Sequence, residues 1–407
     1  MPDPSEPIFW QFSLSTINAF VWVVLLLLGL AMGLKMRWRR LVAISAFLTL
    51  DLIAFGAFVR LTDSGLGCPD WPGCYGQLLP AQASAQINQA ISEQGGTHGP
   101  VSHGKAWIEM LHRYVASFIG VLILVMFVRA LFARFRDHGT AGTGSTVDSG
   151  RLRASGEFGA ASVGVAWPLL LLIVVGLQGL FGKWTVTLKL MPIVVTTHLL
   201  GGMLLFALLV WFWMRERHRA GDTRAMTITV SGRVRALLWL ALATLALQIF
   251  LGGWVSTNYA VMACADFPGC NGQLMPTVAW NEGFTLLRSL GRNPDGSFLS
   301  IEGLRAIHWA HRIGALITTV VVIAAALALL RAHSALRRQA LWIITALLLQ
   351  IAIGVGTVLF AQPIVLAVAH NFVAAVLLAT LVAAAYRVSG PPSHAGFAVS
   401  RTLRKQT

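Results

Sequence analysis

Long apolar stretches separated by short polar connections dominate the hydrophobic pattern of the chain. About nine stretches reach roughly 20 residues, the length that a helix needs to cross about 30 Å of hydrocarbon. They lie near residues 14–34, 41–60, 107–131, 166–187, 191–214, 235–257, 304–330, 339–360 and 364–386. Because 56% of the 407 residues are hydrophobic and only 12% are charged, the pattern predicts an all-α polytopic membrane protein with nine spans.

The basic residues predict the orientation of these spans. They follow the first, third, fifth, seventh and ninth apolar stretches, as in Lys35, Arg129, Arg217, Arg337 and Arg404. Short basic connections face the cytoplasm, so the N-terminus is expected outside and the C-terminus inside. The net charge of +15 is thus grouped beside helix ends, which argues against nucleic acid as the partner.

Two segments stand apart from the other spans. Residues 1–40 include the apolar stretch 14–34, which has no basic leader and no small-residue cleavage site. We therefore expect it to remain as an extra N-terminal transmembrane helix. Residues 137–163 are rich in Gly, Ser, Thr and Ala, which predicts a flexible cytoplasmic linker.

An internal repeat divides the remainder of the chain. Cys68-Pro-Asp-Trp-Pro-Gly-Cys74 recurs as Cys264-Ala-Asp-Phe-Pro-Gly-Cys270. The histidines match in the same order, His112 with His311 and His198 with His370. The repeat predicts two four-helix halves of one orientation, 41–214 and 235–386, with a cytoplasmic connection 215–234 and a cytoplasmic tail 387–407.

Both cysteine pairs fall in predicted outer loops, where thiols are oxidised. The Cys-x5-Cys spacing predicts two local disulfides, Cys68–Cys74 and Cys264–Cys270. Closing so short a loop contributes only about 2 kcal/mol, which favours a structural role. A redox role by exchange with an external thiol protein is the alternative, chiefly for the first pair.

Histidine inside a membrane span is costly unless it pairs, lines a cavity or binds a ligand. His112 and His198 are predicted at similar depth near the outer end of parallel helices, and His311 and His370 repeat that arrangement. Opposed imidazoles on two helices of a bundle are typical axial ligands of haem iron. Helix-contact histidines with ordinary hydrogen bonds are the alternative.

Departures from the repeat indicate which half carries chemistry. Glu109 lies three residues before His112, on the same helical face, whereas His308 occupies the matched position. A carboxylate there can take protons or stabilise developing positive charge, although it can also be a plain helix-start acid. Arg60, Arg113 and Arg312 at the outer rim are candidate contacts for haem propionates, or they extend to the membrane surface.

Three motifs give the chain a specific resemblance. They are Gly-Ala-Phe-Val-Arg-Leu-Thr-Asp-Ser-Gly-Leu-Gly-Cys at 56–68, Trp-Ile-Glu-Met-Leu-His-Arg at 107–113 and Val-Thr-Thr-His-Leu-Leu-Gly-Gly at 195–202. With the paired cysteines and histidines, they resemble the haem A synthase family over about residues 41–386. The extra N-terminal helix resembles the proteobacterial and mitochondrial-related branch.

This resemblance implies oxidation of the C8 methyl group of haem O to a formyl group by successive hydroxylations with oxygen from water. It implies that His112 and His198 hold the substrate haem, that Glu109 is the catalytic acid, and that His311 and His370 hold haem b. It also implies an inner, or plasma, membrane location with both haem sites near the periplasmic face. The implied partners are a haem O synthase (a farnesyltransferase) and a haem-copper oxidase, with an unidentified electron acceptor and a possible homo-oligomer.

Three other functions agree with parts of the pattern. A dihaem cytochrome b would carry electrons without altering haem, and a haem carrier would bind and deliver it. A quinone-linked thiol oxidase would use the outer cysteines, although the Cys-x-x-Cys spacing of such enzymes is missing.

Overall fold

A computed structural model describes residues 27, 29–31, 33–96, 99–140 and 164–389. Within these residues, eight helices are long and apolar enough to cross a membrane, which confirms a polytopic helical membrane protein. The helices are α1 (Trp38–Leu61), α2 (His103–Thr140), α3 (Ala166–Thr187), α4 (Pro192–Arg219), α5 (Gly232–Thr257), α6 (Ile301–Ala332), α7 (Arg337–Leu359) and α8 (Ile364–Ser389).

The helix bounds follow the apolar stretches closely, and the differences have local causes. The helix α2 begins at His103 and ends at Thr140, so it is longer at both ends than the predicted stretch 107–131 and includes the first residues of the predicted linker. Its ends are polar, and hydropathy alone does not detect a helix that continues beyond the apolar region. Residues 141–163 of the linker lie outside the described residues.

Most of the predicted first span also lies outside the described residues. Its described positions at 27, 29–31 and 33–35 are helical and lead into α1. Gly29 and Gly33 lie against Val121 and Val125 of α2, and a Cβ atom on either glycine would approach these valines within 3 Å. The Arg129 guanidinium donates to the Gly33 carbonyl oxygen at 2.7 Å. This segment therefore packs closely against α2 by the small-residue contact that membrane helices favour.

Each half of the chain forms a closed ring of four helices. In the first half, contacts join α1 to α2, α2 to α3, α3 to α4, and α4 back to α1. The second half repeats this order through α5, α6, α7 and α8. The second and fourth helices of each ring therefore lie on a diagonal, and those helices carry the four repeated histidines. The halves meet through α1, α4, α5 and α8.

The two halves are joined by hydrogen bonds between repeat-related positions at the C-terminal ends of their first helices. Arg60 at the end of α1 donates to the Ser256 carbonyl oxygen at 2.7 Å, and Ser256 is the residue that matches Arg60 in the repeat. The Tyr259 hydroxyl donates to the Asp63 carboxylate at 2.6 Å, and these two positions also match each other. Polar contacts between such positions hold the C-terminal ends of α1 and α5 together.

Candidate functional site

The four repeated histidines lie inside the two helix rings, each beside a glycine of the preceding helix. A Cβ atom added to Gly56 of α1 would lie 3.1 Å from His112 Cε1, and one added to Gly182 of α3 would lie 3.6 Å from His198 Cε1. The second half repeats the pairing. A Cβ atom added to Gly252 of α5 would lie 3.1 Å from His311 Cε1, and one added to Gly354 of α7 would lie 2.7 Å from His370 Cε1. Histidines therefore alternate with glycines around each ring, which leaves room beside every imidazole.

The spacing of the second histidine pair fits a haem iron between the rings. The ring centroids of His311 and His370 are 6.5 Å apart, and the ring planes cross at 73°. Two metal–imidazole bonds of about 2 Å place the centroids of ordinary rings about 6 Å apart. The Nδ1 atom of His370 is also buried without a hydrogen-bond partner among the described residues. The side chains of this half thus fit a bis-histidine haem.

The first histidine pair lies on the matched helices, His112 on α2 and His198 on α4. The Nδ1 atoms of both rings are buried and have no hydrogen-bond partner within the described part of the chain. A buried polar atom without a partner is costly, so these nitrogens also indicate a ligand that the protein binds between the helices.

Glu109 links the first histidine pair to the first cysteine loop. Its carboxylate is 4% exposed. It accepts a hydrogen bond from the Cys68 backbone amide at 2.9 Å and pairs with the Arg113 guanidinium at 2.5 Å. Because Glu109 precedes His112 by about one helical turn, the carboxylate that binds the loop lies on the same face of α2 as the histidine.

The matched position in the second half is chemically different. His308 is 3% exposed and accepts a hydrogen bond from Arg312 Nε at 3.3 Å. A neutral ring therefore stands in the second half where a carboxyl group stands in the first. The structure thus brings Glu109 and its counterpart to equivalent buried places, and the two halves differ there in chemical type.

The arginines beside the histidines bind the cysteine loops of their own halves. Arg113 donates to the carbonyl oxygens of Asp70 at 2.9 Å and Gly73 at 2.5 Å. Arg312 donates to the carbonyl oxygens of Asp266, at 2.8 Å, and Gly269. Arg60, Arg113 and Arg312 thus have protein partners, and their contact with haem propionates stays a prediction.

Both cysteine pairs are joined as predicted, with Sγ–Sγ distances of 2.06 Å for Cys68–Cys74 and 1.97 Å for Cys264–Cys270. An aspartate organises each loop. Asp266 accepts hydrogen bonds from the backbone amides of Asn271 and Gly272, both at 2.6 Å. The Gly272 amide is the main reason that the pKa of Asp266 lies below its usual range. In each loop, a disulfide and an aspartate bound to backbone amides therefore fix the conformation.

Sequence reasoning missed two sets of residues at this site. The first is the four glycines beside the imidazoles, although each pair occupies the same repeat position and a comparison of the two halves reveals them. The second is a pair of glutamines, Gln248 and Gln350, whose carboxamides contact His311 and His370. An uncharged glutamine in an apolar helix gives little signal by itself.

Comparison with known proteins places this architecture in a family. Residues 39–382 match the model of the COX15-CtaA family, described as cytochrome oxidase assembly protein. The chain belongs to this family. The COX15-CtaA match begins in α1 and ends in α8, so it includes both cysteine loops and all four repeated histidines.

Individual relatives of the family are similar over most of their length. A protein named heme A synthase from Shewanella oneidensis is 36% identical over 358 residues, which is 87% of this chain and 96% of the relative. A protein of that name from Bradyrhizobium diazoefficiens is 30% identical over 88% of this chain and 92% of its own length. Another from Rhizorhabdus wittichii is 28% identical, with 87% and 94% covered. The predicted resemblance to the haem A synthase family is therefore confirmed.

Proposed function

We propose that this protein is a haem A synthase, a membrane oxidoreductase that converts the C8 methyl group of haem O to the formyl group of haem A. The observation that carries the proposal is the pair of repeat-related histidine sites combined with a buried carboxylate, Glu109, one helical turn from a histidine of the first half, where the second half has His308. The relatives that bear the name heme A synthase support the reaction.

The first half is the proposed substrate site. His112 and His198 would hold the haem O iron, and Gly56 and Gly182 leave space beside their rings. Glu109 is buried one helical turn from His112, in the half that holds the reacting methyl group. A positioned carboxylate can accept protons released from an oxidised carbon, and general-base catalysis of this kind contributes about 10²–10⁴-fold.

The proposed reaction balances as two hydroxylations. In each, a carbon–hydrogen bond of the C8 substituent breaks, a carbon–oxygen bond to water oxygen forms, and two electrons and two protons leave. The second hydroxylation gives a geminal diol, which loses one water to become the formyl group. The role of Glu109 is to receive protons, and the electrons pass to an acceptor outside this chain.

The second half is the proposed haem b site, held by His311 and His370. When bound, a bis-histidine haem supplies one-electron transfer. His308 offers no carboxylate beside this site, which agrees with a role in conduction rather than in oxidation of the porphyrin.

The positive-inside pattern supports a location in the inner membrane with both haem sites near the periplasmic face. Haem O arrives from a haem O synthase in the same membrane, and haem A leaves for a haem-copper oxidase. The disulfide loops lie at that outer end of each ring.

Extraction of haems from a host that makes haem O but no haem A tests the function. Cells that express the wild-type chain are expected to contain haem A and its hydroxylated intermediate by mass, and Glu109→Ala cells only haem O and haem b. A dihaem electron carrier or a haem carrier would yield no haem A from the wild type, which would overturn the proposal. If the protein were a thiol oxidase, cells that express it would contain no haem A. Its thiol-oxidising activity would be lost in the Cys68→Ser, Cys74→Ser variant.

A further inference from the structure

The two histidine sites differ in the groups that contact the imidazole rings. In the second half, Gln248 Nε2 lies 3.0 Å from His311 Nδ1 and also donates to the His311 carbonyl oxygen at 3.0 Å. Gln350 Nε2 lies 3.1 Å from His370 Nε2. A carboxamide therefore touches each second-half imidazole, one from α5 and one from α7.

Among the described residues of the first half, no carboxamide makes an equivalent contact to His112. Leu52 occupies the repeat position of Gln248, and a leucine side chain cannot hydrogen-bond. The neighbouring positions change together with it. Gln248 Oε1 lies only 2.4 Å from the place that a Cβ atom on Gly314 would take, whereas the first half has Val115 at the position of Gly314. Gly314 thus leaves space for the Gln248 carboxamide in the second half. The first half has the aliphatic residues Leu52 and Val115 at these two positions.

The first half has a glutamine at the matched position near His198, but its carboxamide lies elsewhere. Gln178 matches Gln350 in the repeat, but its carboxamide fills the space above Gly201, where its Nε2 lies 1.8 Å from the place of an added Cβ atom. Val373 occupies the position of Gly201 in the second half, so a branched side chain stands where the first half has none. The same glutamine therefore turns away from the histidine in one half and contacts it in the other.

We propose that Gln248 and Gln350 are positioning residues that fix the second-half imidazoles as ligands of a resident haem, and that the first half omits these contacts because its porphyrin must enter and leave. The proposal rests on the proposed function. Groups that hydrogen-bond a ligating histidine set its orientation and basicity, and their loss typically weakens metal binding by about 10–100-fold.

Unpaired atoms in the second half support the same assignment. The Oε1 atoms of Gln248 and Gln350 are buried without hydrogen-bond partners in the described part of the chain. A carboxamide turned by 180° has the same shape, so at Gln350 the oxygen can take the place of the nitrogen beside the ring. It then accepts the N–H of the imidazole nitrogen that does not bind iron, which gives the buried Oε1 atom and that N–H a hydrogen-bond partner.

The test measures how tightly the second half holds haem b. The full-length chain carrying His112→Ala and His198→Ala, purified in detergent, retains only the second site. Into this background we place Gln248→Leu, which installs the residue of the first half, Gln350→Leu, and the matched control Gln178→Leu. The readouts are haem transfer to apomyoglobin, the electron paramagnetic resonance spectrum of the ferric haem and its midpoint potential.

Gln248→Leu and Gln350→Leu are expected to speed haem transfer about 10-fold or more and to change the low-spin spectrum. Gln178→Leu should leave the transfer rate and the spectrum unchanged. Gly314→Ala, which removes no side chain but displaces the Gln248 carboxamide, should act in the same direction as Gln248→Leu and covers the case in which a leucine variant does not fold.

Wild-type transfer rates and spectra in Gln248→Leu, Gln350→Leu and Gly314→Ala would overturn the inference. An effect of Gln178→Leu as large as that of Gln350→Leu would do so as well. These outcomes differ from failure of the proposed haem b site, in which the parent chain without glutamine changes would show no bis-histidine haem spectrum. Failure of the proposed reaction is seen separately, as absence of haem A from cells that express the wild type.

Discussion

The two halves of the chain share a frame and differ at the positions that touch the histidines. Ring order, histidine positions, adjacent glycines and disulfide loops all repeat. The first half has Glu109 where the second half has His308, and Leu52 where the second half has Gln248. In the proposed function, the shared frame lets each half hold a haem between its diagonal helices. The few unlike residues let one half react with its haem while the other keeps its haem bound.

Replacing the carboxyl group at position 109 should have the largest effect on haem A formation. Glu109→Gln keeps the size of the side chain and a hydrogen-bond acceptor for the Cys68 amide, but removes the proton acceptor. We expect haem A formation to fall about 100-fold or more, with haem b retained. Turnover is measured by the masses of extracted haems over time.

The matched change is His308→Gln, which alters the same position in the second half. It should lower turnover much less than Glu109→Gln, because no proton is taken up there. Equal losses from the two variants would show that the halves do not differ at this position in the way described.

The two disulfide loops offer a second comparison. Loss of either disulfide should have the same effect on stability, but the two losses should differ in their effect on turnover. Replacing either cysteine pair by serine should lower the free energy of unfolding by about 2 kcal/mol, since both loops have the same length. The Cys68 loop alone binds Glu109, through the Cys68 amide at 2.9 Å. Its loss should reduce turnover about 10-fold more than loss of the Cys264 loop, if the loop contributes about 1.4 kcal/mol to the placement of the carboxylate. Thermal unfolding and haem A yield, measured on both variants, check this expectation.

Breaking the contact between the C-terminal ends of α1 and α5 should have a smaller effect, and chiefly on stability. Arg60→Ala removes a hydrogen bond to the Ser256 carbonyl oxygen and the ion pair with Asp63. Tyr259→Phe removes only the hydrogen bond to Asp63. We expect Arg60→Ala to lower unfolding stability by about 1–3 kcal/mol and Tyr259→Phe by about 1 kcal/mol. A loss of haem O affinity without a loss of stability in Arg60→Ala would instead favour the propionate contact.

The smallest effect concerns the pH dependence of the second loop. The pKa of Asp266 is lowered chiefly by the Gly272 amide, so the folded loop favours the carboxylate. Its stabilising effect is present above the unfolded-state pKa and is lost as the pH falls through the lower folded-state pKa. Asp266→Asn should therefore speed reduction of Cys264–Cys270 by a phosphine near neutral pH. The difference from wild type should shrink in acid, and a difference that grows in acid would contradict this account.

The general architecture was predictable because membrane physics limits the choices. An apolar stretch of about 20 residues must be helical, and an intramembrane histidine needs a partner or a ligand. The spans, the repeat and the four histidines follow from these two rules. The comparison of His308 with Glu109 needed only the alignment of the halves.

Residues whose role depends on their neighbours were not predictable in this way. Arg60 lies at the C-terminal end of α1, and besides Asp63 it binds a carbonyl oxygen 196 positions away in the sequence. Gln178 and Gln350 are identical in type and repeat position, yet within the described residues only Gln350 contacts a histidine, whereas the Gln178 carboxamide lies against Gly201. Such differences arise from side-chain packing between helices and have no local signature in the sequence.

The most direct test of the division between the halves is the haem content of single-histidine variants. The wild type, His112→Ala and His311→Ala are purified from cells that make haem b and haem O, and the extracted haems are separated and identified by mass. We predict that His112→Ala retains haem b and loses haem O and haem A, and that His311→Ala loses haem b. Loss of haem b from His112→Ala with its retention in His311→Ala would contradict the account.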